Sequence, residues 1–375
     1  MSHITLRCTE CGAVRDADMS ALRCEECDSP LEVAYVDTAP STPSPQPPRW
    51  AGAPIPLPLH DAVVSLGEGN TPCVEMAALG KLLGLRRLYG KLEFLSPTGS
   101  FKDRGTAVMM SVAREQGVTE IVEDSSGNAG ASVSAYAAKV GIKAHVFAPA
   151  SAPAAKVGQI RVYGARTHSI EGSREAATSA AVDFHVERGL VYASHNLSPY
   201  FVEGTKTFAY EIADQMQGDL PEHVVVPVGN GSLFLGAWRG FSELKDTGRI
   251  PRIPRLHCIQ ASAFMPIVAA YQGIEWTAQP GAMTVAGGIS AADPPRLREI
   301  LRVLRDSSGV ALAVEDEEII RWQRLLAEEE GIYAEPTSAA AFAGLESLVR
   351  SGHIGNSESV LVPVTGTGLK DAPPP

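Results

Sequence analysis

The regular alternation of strand and helix patterns between about residues 105 and 262 constrains the fold most strongly. Short apolar runs such as EIVED, KAHVFAP and HVVVPVG alternate with helix-length segments such as NAGASVSAYAAKVG, which closes at Gly141. This alternation is typical of βαβ units, in which mainly parallel sheets carry helices on both faces. We therefore predict an α/β fold.

Composition and charge narrow the class of protein. The chain has 375 residues, of which 45% are apolar and 20% charged, as expected of a soluble globular enzyme with two or three domains. The net charge of −11 and the absence of a lysine- or arginine-rich block predict no nucleic-acid partner. The N-terminus MSHITLRCTE lacks an apolar signal segment, and no apolar run has membrane-spanning length. We therefore predict a cytoplasmic protein with no membrane partner.

Four of the six cysteines form two Cys-x-x-Cys pairs near the N-terminus, with twelve residues between the pairs. In a chain without a secretion signal, this spacing predicts a tetrahedral four-cysteine zinc site rather than a disulfide framework. An unmetallated, reduced ribbon is the alternative. Either form is structural, because four thiolates leave no open catalytic position. The predicted ligands are Cys8, Cys11, Cys24 and Cys27.

A segment dense in proline and small residues occupies residues 38–60. That composition predicts a semi-rigid linker rather than part of a core. It separates a zinc-ribbon-like module at 1–37 from the main body at 61–375.

Three glycine-rich turns follow apolar strand patterns, which is where open α/β sheets bind ligands. SSGNAGAS (125–132) and GNGSL (229–233) combine small residues with hydroxyl and amide donors at a helix start, a pattern typical of anion binding. In the second of these turns, Gly229 and Gly231 are followed by glycine only at 236, so the GxGxxG spacing of a dinucleotide fingerprint is not met. LVPVTGTGLKD (361–371) places the hydroxyl of Thr365 where it can meet a heteroaromatic nitrogen. Taken singly, each turn is also explained as an ordinary glycine-rich helix entry or strand exit.

Lys102 lies in the crowded stretch LSPTGSFKDRG (95–105), whose small residues let a planar ligand approach the amine. Pyridoxal phosphate (PLP) needs an amine for a Schiff base, a cradle for its phosphate, a donor for its ring oxygen and a partner for its ring nitrogen. The lysine and the three turns together supply these four features. A salt bridge with Asp103, or a solvated surface position, is the alternative for Lys102.

SPTGSFKDRG resembles the PLP-lysine signature of the fold-type II enzymes, and especially of the threonine synthase family. The segments SSGNAGAS, VPVGNGS, GIYAEPTSAAAFAGL and TGTGLKD resemble others of that family in the same order, and GEGNTP (67–72) and the cysteine ribbon also fit. The resemblance covers essentially the whole chain. It implies a tryptophan synthase β-like architecture of two α/β domains with PLP in the cleft, the smaller at about 104–200. It also implies a homodimer.

The resemblance implies roles for individual residues as well. Lys102 would bind PLP covalently and, once freed by the substrate amine, would move protons at Cα and Cβ. Asn128 would bond the 3′-oxygen of the coenzyme. Thr365 would meet the pyridine nitrogen, where a hydroxyl, unlike a carboxylate, need not keep the ring protonated. The coenzyme phosphate would be held by Gly229, Asn230, Gly231 and Ser232, and the substrate α-carboxylate by Ser125, Ser126 and Ala129.

The sequence departs from the family at the site for the substrate phosphate. The family segment usually reads like NSVNPYRIEGQKT, whereas this chain has HNLSPYFVEGTKT at 195–207. Phe201 thus replaces a phosphate-binding arginine, which is not a conservative change. His195 and Asn196 are the candidate substrate-binding residues here, with Lys206 and Arg161 as further candidates to replace the arginine. The alternative for His195 is a hydrogen-bonded histidine at a strand end.

A second departure is Thr367, which stands where the family often has a histidine.

The sequence leaves three functional hypotheses. The first is γ-elimination of phosphate from O-phosphohomoserine with water addition at Cβ, as in threonine synthase. The second is a PLP-dependent ammonia-lyase or β-replacement enzyme acting on a hydroxy- or phospho-amino acid, which suits Phe201 better. The third is a non-enzymatic PLP-binding or zinc-ribbon interaction module.

Overall fold

The computed structural model describes residues 4–35, 55 and 63–371. Of the predicted linker 38–60, only residue 55 is among the described residues, and of the C-terminal segment DAPPP only residue 371. The described residues contain no helix that is both long and apolar enough to cross a membrane.

Strands and helices alternate through most of the chain. The strands are β1 Ile4–Cys8, β2 Val14–Asp16, β3 Leu31–Tyr35, β4 Cys73–Glu75, β5 Arg87–Lys91, β6 Glu120–Glu123, β7 Lys143–Pro149, β8 Arg166–Ile170, β9 Val191–Tyr192, β10 His223–Pro227, β11 Arg255–Ala261, β12 Ala311–Val314 and β13 Ser359–Pro363. The α-helices are α1 Ala77–Leu83, α2 Lys102–Glu115, α3 Asn128–Val140, α4 Ala154–Val162, α5 Arg174–Arg188, α6 Pro199–Thr205, α7 Thr207–Gln215, α8 Ser232–Asp246, α9 Pro266–Gln272, α10 Leu297–Asp306, α11 Asp316–Glu330 and α12 Pro336–Arg350. Short 3₁₀ turns lie at Glu93–Leu95, Gly287–Ile289 and Gly368–Lys370.

The chain divides into two compact units. Unit 1 comprises Met1–Gly69 and Ser96–Thr207, and unit 2 comprises Asn70–Leu95 and Phe208–Pro375. The chain therefore passes from unit 1 to unit 2 and back before it completes unit 2.

Unit 1 contains a parallel four-stranded sheet in the order β8-β7-β6-β9. Ile121 and Val122 of β6 pair with Val191 and Tyr192 of β9, so the carboxyl ends of these two strands lie side by side. A second, antiparallel sheet in the order β2-β1-β3 is formed by the cysteine-rich N-terminal segment.

The antiparallel N-terminal sheet packs on the helices of unit 1. Ile4 and Leu6 of β1 share one buried apolar cluster with Val108 of α2. The Tyr35 hydroxyl donates a hydrogen bond of 2.7 Å to Glu203 of α6. The N-terminal segment is thus part of the same core as the helix that begins at Lys102.

Unit 2 contains a six-stranded sheet in the order β12-β11-β10-β13-β5-β4, in which only β4 runs antiparallel to its neighbour. The central strand β10 is buried along its whole length, as a strand covered on both faces should be. The predicted α/β fold with mainly parallel sheets is confirmed. Residues 199–215 form two helices, α6 and α7, which are separated at Lys206.

Helices α2 and α6 approach closely because each has a glycine at the crossing. A Cβ atom on Gly204 would overlap the main-chain oxygen of Arg104, and one on Gly105 would lie 2.5 Å from the ring of Phe201. Alanine at either position would have to push the two helices apart.

We expect Gly204→Ala to lower the free energy of unfolding by about 1–3 kcal/mol, since main-chain atoms cannot rotate away from the new methyl group. Gly158→Ala is the matched control. It lies in helix α4 with no atom within 4 Å of its added Cβ, and it should be neutral or stabilising by about 0.5–1 kcal/mol. Denaturant unfolding of both variants checks this, and equal stabilities would contradict the close crossing.

Candidate active site

A fixed turn presents Lys102 at the first position of α2. Gly99 has φ +83°, a conformation that favours glycine. The carboxylate of Asp103 accepts hydrogen bonds from the main-chain N–H and the hydroxyl of Thr98, at 2.7 and 2.6 Å, and from Ser132 at 2.6 Å. Burial raises the pKa of Asp103 to about 6. Asp103 therefore ties the turn to α3, and Lys102 itself is only half-buried.

The SSGNAGAS loop runs from β6 into α3, which begins at Asn128. The main-chain N–H of Gly127 donates to the hydroxyl of Ser125. Gly130 is required because a Cβ atom there would overlap the main-chain oxygen of Ser125. Ser126 and Asn128 are half-buried, whereas Ser125 and Ala129 are buried.

His195 and Asn196 follow β9, so the sheet brings them beside the end of β6. Nδ1 of His195 lies 2.7 Å from Oε1 of Glu123, and both side chains are almost fully buried. Asp124 lies in the same cluster. One carboxylate oxygen of Asp124, one of Glu123 and one ring nitrogen of His195 all lie within 4.8 Å of one another. His195 is therefore hydrogen-bonded just after the end of a strand, as the alternative interpretation of this residue predicted.

The pKa values of Glu123 and His195 are shifted far from their ordinary values. Burial raises the pKa of Glu123 well above its ordinary value, and the neighbouring Asp124 raises it further. Burial, and then the charge of Lys102, lower the pKa of His195 well below its ordinary value. Among the described residues, Oε2 of Glu123 and Oδ1 of Asp124 are buried without a hydrogen-bond partner. Sequence reasoning missed Glu123 and Asp124, although two acidic residues at the end of an apolar strand were visible.

Phe201 is fully buried next to Lys102. The ring centroid of Phe201 lies 5.7 Å from Nζ of Lys102 and 6.0 Å from the ring centroid of His195. Lys206 is equally buried, but its ammonium group pairs with Glu203 at 2.5 Å and with the Tyr35 hydroxyl at 3.2 Å. Arg161 bonds Thr167 in an exposed position. Lys206 and Arg161 are therefore engaged elsewhere.

In unit 2, the loop Gly229–Ser232 connects β10 to α8, which begins at Ser232. Gly231 has φ +86°, and a Cβ atom on Gly229 would lie 3.0 Å from the main chain of Ile289. The first N–H groups of a helix have no partner within the helix and attract anions. A loop of this kind at the start of a helix can hold a phosphate group.

Thr365 follows β13 and is buried. Its hydroxyl lies 2.9 Å from the hydroxyl of Ser338 and donates to Glu335 at 3.2 Å. Neither Ser338 nor Glu335 was predicted as a site residue, although the segment that contains them resembles the family. Thr367 accepts a hydrogen bond from the N–H of Leu369 and caps the last 3₁₀ turn.

The four N-terminal cysteines come together, as their spacing predicts. Sγ of Cys8 lies 3.4 Å from that of Cys27, and Sγ of Cys11 lies 3.6 Å from that of Cys24. All four sulfurs lie within 4.8 Å of one another. A tetrahedron with Zn–S bonds of about 2.3 Å places its sulfurs about 3.8 Å apart, so the cluster fits zinc.

Comparison with known proteins decides the family. A sequence model described as "Pyridoxal-phosphate dependent enzyme" matches residues 64–366. The threonine synthase of Methanosarcina acetivorans is 37% identical over 98% of this chain and 92% of its own length. The chain belongs to the PLP-dependent threonine synthase family. A second member of this family, the threonine synthase of Bacillus sp. (strain ULM1), is 38% identical over 84% of this chain and 88% of its own length.

Solved structures support the fold. The L-serine ammonia-lyase of the fungus Rhizomucor miehei has a TM-score of 0.71 and 23% identity, over 80% of this chain and 94% of that one. Threonine deaminase isoform 2 of Solanum lycopersicum has a TM-score of 0.69 and 21% identity, over 83% of this chain and 81% of that one. The fold is therefore that of the fold-type II PLP enzymes, and membership in the threonine synthase family makes PLP the cofactor.

Proposed function

We propose that this protein catalyses the threonine synthase reaction, the γ-elimination of phosphate from O-phosphohomoserine followed by water addition at Cβ. The observation that carries the proposal is the match to threonine synthases along 98% of the chain. The position of Lys102, half-buried at the start of α2 in the segment that resembles the family's PLP-lysine signature, supports it.

The proposed roles are those that the resemblance to the family implies for each residue. When bound, PLP supplies an electron sink for the charge that develops on substrate carbons. Lys102 would hold the coenzyme covalently and would then move protons at Cα and Cβ of the substrate. Asn128 would donate to the coenzyme 3′-oxygen, and Thr365 would meet the ring nitrogen. The coenzyme phosphate would be held by Gly229, Asn230, Gly231 and Ser232.

The substrate carboxylate is assigned to the loop that begins α3. Ser125, Ser126 and Ala129 offer hydroxyl and main-chain donors there, and the absence of a side chain on Gly130 lets the loop close tightly. His195 and Asn196 are assigned to the distal part of the substrate. Because His195 is held by Glu123, it offers Nε2 to that part.

The experiment is turnover of O-phospho-L-homoserine by PLP-loaded protein. Phosphate and threonine are measured together, with L-serine, L-threonine and O-phospho-L-serine assayed in parallel for keto acid. We expect one threonine for each phosphate released. Keto acid from the other amino acids, with O-phosphohomoserine inert, would contradict the proposal.

One observation favours a second candidate, an ammonia-lyase or β-replacement enzyme acting on a hydroxy- or phospho-amino acid. Phe201 occupies the family's arginine position as a fully buried ring, and Lys206 is paired with Glu203 rather than available for a phosphate. A smaller or less charged leaving group suits such surroundings. The parallel keto-acid assay distinguishes the two candidates.

The proposal extends to the organisation of the chain. Residues 1–37 form a zinc-ribbon-like module with Cys8, Cys11, Cys24 and Cys27 as ligands, supported by the distances between their sulfurs. Residues 38–60 link it to the catalytic body at 61–375, whose smaller domain lies roughly at 104–200. The proposed cytoplasmic location comes from the sequence alone. The proposed homodimer rests on resemblance to the family, and light scattering of the purified protein tests it.

A further inference from the structure

The Glu123–His195 pair and Lys102 lie around the same buried ring, that of Phe201. Phe201 lies within 6.0 Å, centroid to centroid, of the His195 ring, and its centroid is 5.7 Å from Nζ of Lys102. Lys102 is also near enough for its charge to act on the pKa values of both Glu123 and His195. A substrate held at the amine of Lys102 would extend into these same surroundings, and its breaking carbon–oxygen bond would then lie near the pair.

The departing oxygen needs a proton. A hydroxyl group leaves carbon as water only when it is protonated, and a phosphate monoester dianion would otherwise leave as a trianion. Resemblance to the family implies an arginine near the substrate phosphate, but Phe201 stands at that position here and can donate neither a proton nor a hydrogen bond. Nε2 of His195 is not used in the hydrogen bond to Glu123.

We propose that His195 gives the leaving oxygen its proton through Nε2, and that Glu123 is the positioning residue that replaces this proton through Nδ1. The proposal rests on the proposed function, because it requires an elimination at Lys102. It adds a donor pair that stands in for the missing arginine, and it applies to phosphate and hydroxyl leaving groups alike.

The step balances in protons and electrons. The electron pair of the breaking carbon–oxygen bond goes to the oxygen, which takes the proton from Nε2. The proton shared between Oε1 of Glu123 and Nδ1 of His195 then belongs to Nδ1, and Glu123 is left as a carboxylate. When water adds at Cβ, its surplus proton returns to the pair. In a simple elimination, solvent returns the proton instead.

The surroundings keep this proton in the pair. Burial favours the neutral carboxyl form of Glu123 and the neutral ring of His195. With Glu123 donating to Nδ1 across the 2.7 Å contact, the ring proton would lie on Nε2. The other charged groups that act on the pair are Asp124, Lys102 and Arg174. Because the donor form carries the extra proton, kcat for oxygen leaving groups should fall as the pH rises and the pair loses that proton.

The test compares leaving groups in Glu123→Gln. Glutamine can still donate a hydrogen bond to Nδ1 and fix the ring, but it cannot pass on a proton. Substrates are O-phospho-L-homoserine, L-serine and β-chloro-L-alanine, whose chloride leaves without protonation. We expect kcat for the oxygen substrates to fall about 100-fold with little change in KM, and kcat for β-chloro-L-alanine to change less than about threefold.

Two further variants separate this role from a structural one. Glu120→Gln is the matched control on the same strand, where Glu120 pairs with Lys143 at the surface, and it should change none of these rates. His195→Gln should lose the same oxygen-substrate activity, and the double variant Glu123→Gln/His195→Gln should lose no more than either single one, because the two residues act as a unit.

Equal losses on all three substrates, or no loss on the oxygen substrates, would overturn the proposed proton transfer. If wild type is inert with O-phosphohomoserine but eliminates water from L-serine, the threonine synthase proposal fails. The comparison of L-serine with β-chloro-L-alanine in Glu123→Gln then still decides the role of Glu123. Wild type that accepts β-chloro-L-alanine and no oxygen substrate would overturn both.

Discussion

Replacing Lys102 by alanine should abolish turnover and remove the covalent bond between the protein and PLP. Lys102 is proposed both to bind the coenzyme and to move the protons at Cα and Cβ, so its loss removes two contributions at once. Proton transfer alone typically contributes about 10²–10⁴-fold. We therefore expect kcat/KM to fall by at least about 10³-fold.

The covalent bond is measured separately from activity. Borohydride reduction of the PLP-loaded protein followed by peptide mass spectrometry should find the coenzyme on the peptide that contains Lys102, and should find none in Lys102→Ala. Lys102→Arg keeps the positive charge beside the rings of Phe101 and Phe201 but should be equally inactive. Lys139→Ala, at an exposed lysine of α3, should retain full activity. Coenzyme trapped on another lysine would contradict the assignment.

The parts of the fold that could be predicted are those that a local sequence pattern specifies. Buried parallel strands have continuous apolar sequences, and the helices between them have longer amphipathic or alanine-rich sequences. The alternation of strands and helices could therefore be predicted. The turn at Lys102 could be predicted for the same reason, because its contacts are local. Gly99 has positive φ, and Asp103 bonds Thr98, which is only five residues away.

The parts that could not be predicted depend on long-range pairing. Glu123 and His195 are 72 residues apart and meet only because β9 pairs with β6. Glu335 and Thr365 are 30 residues apart and meet only because α12 starts beside the end of β13. No local pattern specifies which strand becomes the neighbour of β6.

Lys206 illustrates the same limit. Its sequence position made it a candidate to replace the missing arginine, but α6 ends there and its ammonium group pairs with Glu203 and Tyr35. The partner Tyr35 comes from β3, 171 residues earlier. A charged residue in a family motif can therefore be used by a neighbouring element that the motif does not contain.

Removing zinc should destabilise unit 1 as a whole, not only the N-terminal ribbon. Structural zinc contributes about 10–16 kcal/mol of binding free energy in zinc-finger peptides, and without it the cluster loses what holds its four sulfurs together. The sheet formed by β1, β2 and β3 shares its apolar cluster with α2, and Tyr35 bonds Glu203 of α6. Unfolding of the ribbon would expose these faces.

We expect Cys24→Ser to bind less than one zinc per chain, to lower the melting temperature by at least about 5 °C and to reduce activity. Wild-type protein should contain one zinc per chain by elemental analysis, and a strong chelator should reproduce the variant's melting temperature. Cys73→Ser is the control, since Cys73 lies in β4 of unit 2, and it should keep its zinc and its melting temperature.

The activity loss is the informative part of this experiment. The ribbon contacts the two helices that carry Lys102 and Phe201, so zinc bound there would support the geometry of Lys102 from outside the site. If Cys24→Ser lost zinc and kept full activity, the ribbon would be an independent module. A parallel fall in zinc content, melting temperature and kcat, with the coenzyme still bound, would instead make the ribbon a structural support of the catalytic helix α2.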